Sequence, residues 1–236
     1  MAAAPEDDFS SWVLVERNGS RPRPIKQCIL HPTKRHDITQ RNINKLFKTQ
    51  KYKDLLASRL SGAVKIPCIT YDGMGIVGKD DRWDVFYDMG NYLEDTFPAL
   101  HSTQCHFRFE IVNEHAYLYT WKGSDLSLKP LLFMAHTDVV PAPDLTLGRW
   151  THPPFSGLYD GNYVWGRGAE DDKSNLIAIS SAMTELHQAG FEPSRTVILA
   201  VGFDEEGGAK EGQGARCLAE MLLQRYGEDG IELIVR

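Results

Sequence analysis

The chain has 236 residues, of which 42% are hydrophobic and 25% charged, values that allow a sizeable core. Its net charge of -6 is unevenly spread: residues 1–60 hold twelve Lys/Arg against six Asp/Glu, and the rest hold fourteen against twenty-six. The acidic bulk argues against nucleic acid as a partner, and no stretch approaches the roughly 18 apolar residues that a membrane span needs.

The first eight residues are acidic with no apolar run behind them, so no signal peptide is read there. Residues 1–42 contain Pro5, Pro22, Pro24 and Pro32 and sustain neither a helical nor a strand period; a poorly ordered basic tail is expected, with the folded domain over 43–236. A helix is expected over 43–60, on the apolar set Leu46, Phe47, Leu55, Leu56 and Leu60. A Gly/Asp-rich loop over 71–78 leads to a second helix over 82–96, which stops before Pro98. Residues 105–121 alternate like strands, and 121–125 supplies a turn. The continuous apolar run over 131–135 marks a strand covered on both faces. After a short strand over 163–165 comes a helix over 173–189 ending at Gly190, a natural cap. A second apolar strand over 196–201, a helix over 209–226 and a strand from 231 complete the order. Strand and helix alternation of this kind predicts an α/β fold, a three-layer, mixed, largely parallel sheet flanked by helices. The four cysteines, Cys28, Cys68, Cys105 and Cys217, make no CxxC pair; free thiols are expected, with one disulfide as the alternative.

Three motifs carry chemistry, each just after a short strand, where an α/β sheet collects its functional groups. The first is His136-Thr-Asp138: in extended backbone both side chains point to one face, and a carboxylate behind a metal-bound imidazole fixes its tautomer. Alone, the pair equally describes a strand-end histidine and a turn aspartate. The second is Gly166-Arg-Gly-Ala-Glu-Asp-Asp-Lys173, whose Asp171 and Asp172 suit either a helix cap or a pair of close cations. The third is Asp204-Glu205-Glu206. A solvated acidic tip is the ordinary explanation of such a run, but at the mouth of a buried strand clustered carboxylates call for a compensating charge. One glutamate can then ligate a metal while its neighbour acts as a general base.

These segments, with Trp150-Thr-His-Pro-Pro-Phe-Ser-Gly157, Trp165-Gly-Arg-Gly168 and Gly202-Phe-Asp-Glu-Glu-Gly207, closely resemble the carboxypeptidase S (Gly-X carboxypeptidase) group of the co-catalytic zinc metallopeptidases, the family that includes aminoacylase and glutamate carboxypeptidase. The resemblance covers roughly residues 45–236. It implies two zinc ions, with His136 and Glu206 as ligands and Asp171 as the bridging carboxylate. It implies Glu205 as the catalytic general base, Asp138 as the carboxylate behind His136, and a cis peptide at Asp171-Asp172. The implied reaction is hydrolysis of an amide beside a free carboxylate, on a short peptide or an N-acyl amino acid. The implied location is the vacuole, reached through a membrane anchor that this chain does not show. The family further uses another acidic ligand, a late histidine and an inserted lid and dimerisation domain, none within these residues. A fragment with little or no catalysis of its own, or a non-catalytic product, is therefore expected, with possible homodimerisation of a full-length protein. Glu170 stands where the family usually carries a smaller residue.

Overall fold

The first helical stretch is interrupted by two polar residues, Lys48 and Thr49. In the computed structural model, which describes residues 34–102, 106–207 and 212–236, helix α1 runs Lys34–Phe47 and α2 runs Gln50–Val64. Between them the Thr49 hydroxyl accepts the Tyr52 N–H at 3.2 Å, satisfying one of the amide groups that a helix start leaves free. The helix expected over 43–60 is thus two helices. The expected tail boundary at residue 42 falls inside α1, and residues 1–33 of that tail lie outside the described residues. All described residues belong to one unit, Lys34–Arg236.

Asp80 opens a short 3-10 turn, Asp81–Trp83, and α3 follows as Val85–Thr96, ended by Pro98 as its sequence requires. Pro98 itself starts the four-residue α4, Pro98–His101. Strands β1 (Phe107–Val112) and β2 (Ala116–Trp121) form a hairpin. Its turn uses Asn113 and Glu114 at φ 46° and 66°, the consecutive left-handed pair of a primed turn. No glycine marks that turn, so the alternation of 105–121 reads as continuous in the sequence.

The remaining elements are β3 (Leu131–His136), the small hairpin β4 (Leu158–Tyr159) and β5 (Val164–Trp165), α5 (Lys173–Gln188), β6 (Val197–Gly202), α6 (Ala215–Tyr226) and β7 (Leu233–Val235). Gly190, at φ 73°, ends α5: its N–H and that of Phe191 bond back to the carbonyls of His187 and Leu186. Helix α6 begins six residues later than expected; 208–211 lie outside the described residues and 212–214 are not helical.

The main sheet has the order β1-β2-β6-β3-β7. Its β1-β2 and β2-β6 pairings are antiparallel, and its β6-β3 and β3-β7 pairings are parallel. The expected mixed sheet is therefore evenly divided, and the parallel half carries the motifs. Strand β6 lies at its centre, with Ile198, Leu199 and Val201 fully enclosed. Helix α5 packs on β3 with α2 behind it, while α6 packs on β6 and β2. In register, His136 pairs with Gly202, so β3 and β6 release their chains side by side at one edge.

Candidate metal site

That shared edge assembles the site. Leaving β3, the chain runs His136-Thr-Asp138, and the Thr137 N–H donates to the Gly202 carbonyl at 3.0 Å, holding the two strand ends together. An isolated parallel bridge between Ile69 and Val139 brings the segment after α2 beneath the same point. Thr70 consequently donates its hydroxyl to Asp138 Oδ2 at 3.0 Å. The backbone N–H groups of Glu205 and Glu206 donate to Asp138 Oδ1 at 3.1 Å and Oδ2 at 2.8 Å. Asp138 is wholly buried, and these donors keep its carboxylate satisfied there. It thereby fixes where the Glu205-Glu206 turn begins.

Asp138 also faces His136, whose Nδ1 lies 3.2 Å from Oδ1 and 3.1 Å from the Asp138 carbonyl oxygen. The other ring nitrogen, Nε2, is turned to the open side, 3.1 Å from Asp171 Oδ1 and 3.9 Å from Glu205 Oε2. Burial opposes the charged form of His136. The hydrogen bond and charge of Asp138, followed by the charges of Asp172 and Glu205, outweigh it and raise the imidazole to about 9. One ligand atom from each of His136, Glu205 and Glu206 lies within 4.8 Å of the other two.

The Asp171-Asp172 pair divides its labour. Their peptide bond is cis. Asp171 points out toward Nε2 with its side chain 75% exposed, whereas Asp172 is buried. Asp172 precedes α5 but makes no side-chain cap bond to it. Its carboxylate instead accepts from the His136 N–H at 3.3 Å and the Asn175 amide at 2.6 Å. Burial raises its pKa, against the pull of His136. Gly168, at φ 78°, lets this loop reach the sheet: a Cβ there would stand 2.4 Å from Val139 Cγ1. Lys173, the next residue of the motif, is fully buried and donates to the Ala63 and Ile66 carbonyls at 3.0 and 2.6 Å. It ties the Asp171-Asp172 turn to the end of α2, whose last carbonyls need partners. Burial lowers its pKa.

The third motif is less uniform than its sequence suggests. Asp204 turns away and accepts the backbone N–H groups of Gln213, Gly214 and Ala215, capping α6 from a distance. Only Glu205 and Glu206 face the imidazole. Burial, then the charge of Asp171, raises the pKa of Glu206. Glu205 pairs with the guanidinium of Arg236.

The structure therefore brings His136, Asp138, Asp171, Glu205 and Glu206 to one place. Sequence reasoning did not identify Thr70, or the bonds of Lys173 and Asp172; only contacts between distant segments reveal them. The donors fit a divalent cation. A single imidazole nitrogen is presented with three carboxylates; neighbouring carboxylates raise His136, and burial followed by the charge of Asp171 raises Glu206. Cys68 and Cys217 are free thiols; Cys28 and Cys105 lie outside the described residues.

Residues 132–236 match peptidase family M20/M25/M40. Carboxypeptidase S of Saccharomyces cerevisiae is 43% identical over 209 residues, 87% of this chain and 34% of that protein. An N-fatty-acyl-amino acid synthase/hydrolase of Homo sapiens is 36% identical over 166 residues, 70% of this chain and 31% of that protein. Among solved structures, the di-peptidase Dug1p of Saccharomyces cerevisiae superposes with a TM-score of 0.57 at 22% identity, over 81% of this chain and 40% of that one. The chain spans about a third of the length of the curated relatives it matches.

Proposed function

We propose that this chain, whose residues 132–236 match peptidase family M20/M25/M40, forms the N-terminal part of a zinc metallocarboxypeptidase of the Gly-X kind. The observation that carries this reading is the convergence of His136, Asp171, Glu205 and Glu206 at the ends of β3 and β6. His136 Nε2 and the carboxylates of Asp171 and Glu206 would hold the metal, zinc in this reading, with two ions in the whole protein. Bound zinc supplies a polarised scissile carbonyl and an acidified water. Asp138 holds His136 by its far nitrogen, so that Nε2 remains the ligating atom. Glu205 takes the proton of the attacking water and returns it to the leaving amine. In the whole protein that requires its carboxylate to be free of Arg236.

The substrate of this reading is a short peptide with a free C-terminal carboxylate, and the remaining ligands and a dimer partner come from sequence beyond these 236 residues. A vacuolar location accords with the likeness to carboxypeptidase S. Among the described residues no helix is long and apolar enough to cross a membrane. The similarity to an N-fatty-acyl-amino acid synthase/hydrolase supports a second reading, an amidohydrolase of N-acyl amino acids using the same residues.

Zinc content and hydrolysis of a Gly-X peptide test the proposal on this chain and on a full-length form. The full-length form is expected to turn over peptide, and these 236 residues alone little or none. Glu205→Gln in the active form should lower kcat by about 10²–10⁴-fold with zinc retained. Unchanged turnover in that variant would remove the role of Glu205. Preference for an N-acyl amino acid over the peptide would favour the second reading, and no turnover from any form a non-catalytic product.

A further inference from the structure

A cleft with a volume of about 650 Å³ lies beside the loop that carries Asp171, with Gly166, Arg167, Ala169 and Glu170 among its walls. Its walls include Arg149, Trp150, His152, Trp165, Arg167 and Glu170. Arg167 is half-buried, and its guanidinium lies over the Trp150 ring at 5.1 Å. Its Nε is sealed from solvent with no hydrogen-bond partner, and its guanidinium forms no ion pair among the described residues. Opposite, the His152 ring meets Trp165 edge to face at 5.0 Å.

A guanidinium stacked on an indole keeps its hydrogen-bonding edge free while losing part of its hydration. Leaving such a charge half-buried without a carboxylate is costly, and an anionic guest offsets that cost. Arg149 adds a second positive charge, so the two arginines exceed the single negative charge of Glu170. Trp150 and Trp165, both in its walls, supply apolar surface for a stem.

We propose that this cleft binds a carboxylate borne on an apolar or aromatic stem, with Arg167 and Arg149 on the carboxylate and Trp150 and Trp165 on the stem. Glu170, its last wall residue, directly precedes Asp171, so the guest sits one residue of backbone from the metal cluster. That the guest is the reaction's own substrate or product rests on the hydrolase reading; the binding itself does not.

Calorimetric titration with N-acetylphenylalanine and with its uncharged carboxamide, in excess EDTA, tests the cleft apart from metal and turnover. Saturable binding of the carboxylate is expected, with the carboxamide at least ~10-fold weaker, as the loss of a charge-assisted hydrogen bond predicts. Arg167→Met should weaken the carboxylate by about 10–100-fold and leave the carboxamide unmoved. Arg149→Met, at an exposed position, should weaken it several-fold and decides the matter if Arg167→Met does not fold. Equal binding of acid and amide, no saturable binding of either, or no effect of the variant that decides would overturn the proposal. Binding that persists in a full-length form shown to hydrolyse nothing would retain the cleft and sink only the hydrolase reading.

Discussion

Asp138 and Asp171 stand on either side of one imidazole, and the fold treats them in opposite ways. Asp138 has no exposed side-chain surface and accepts from Thr70 and from two backbone amides. Asp171 is 75% exposed, and among the described residues its side chain bonds only His136. The buried wall of the site is completed by the protein itself, so its residues belong to folding as much as to chemistry. The open wall, made of Asp171, Glu205 and Glu206, gathers three carboxylates against the imidazole of His136 and the guanidinium of Arg236 among the described residues. Such a division is what a cation site needs: a rigid back that aims the donors, and a front whose charge the ion answers.

The largest test of that division is Asp138→Ala. It strips the buried acceptor from three donors, which should cost about 3–5 kcal/mol in urea unfolding. A loss under about 1 kcal/mol would mean that the back wall is not a structural unit. Lys173→Met follows. It removes the bonds to the Ala63 and Ile66 carbonyls but fills most of the same volume, and should cost about 2–3 kcal/mol. Metal affinity should fall with it, because the Asp171-Asp172 turn loses its tether to α2.

The two walls were not equally legible in the sequence. The open wall was, because its residues stand in consecutive motifs and each motif follows a short strand, the places where an α/β sheet gathers function. The run Asp204-Glu205-Glu206 nevertheless gave Asp204 no role of its own, whereas it caps α6 across an intervening loop. Likewise Asp172 suited either a helix cap or a close cation, yet it bonds the His136 amide and Asn175. The back wall was nearly illegible. Thr70 reaches Asp138 across 68 positions and Lys173 reaches Ala63 across 110, and no local period encodes either contact. Among the elements, the strands with continuous apolar runs were plain, while the Thr49 break and the Asn113-Glu114 turn were hidden by residues that fit the flanking pattern.

A smaller effect separates the site from the core around it. His115 is buried among Trp83, Phe86, Tyr87 and Phe203, with neither ring nitrogen bonded. Burial lowers its pKa below the ordinary 6.5, against the charges of Glu114 and Asp84. The unfolded chain then binds this proton more readily than the folded one, so its contribution is intact above pH 6.5 and is lost as pH falls below it. His101 and His187 are lowered in the same direction, so the share of His115 must be isolated. His115→Phe should flatten the decline in melting temperature between pH 7 and 5, and an unchanged slope would assign it to the other two.

Asp171→Asn should have the smallest effect on stability and is the sharpest check on the open wall. Its side chain is mostly in water, so the hydrogen bond it gives up with His136 is worth little, and the charge it removes stops raising Glu206. The metal-free variant should unfold within about 0.5 kcal/mol of the parent, with any shift toward greater stability. Zinc affinity, read by competition with a chelating dye, should nonetheless fall by at least ~10-fold, since even residues outside the ligand shell reach that range. Stability and affinity would then part company at Asp171 while falling together at Asp138. If Asp171→Asn destabilised the metal-free chain as Asp138→Ala does, the open wall would be part of the fold, and the surplus of charge at the strand ends would need a structural explanation instead of a cation.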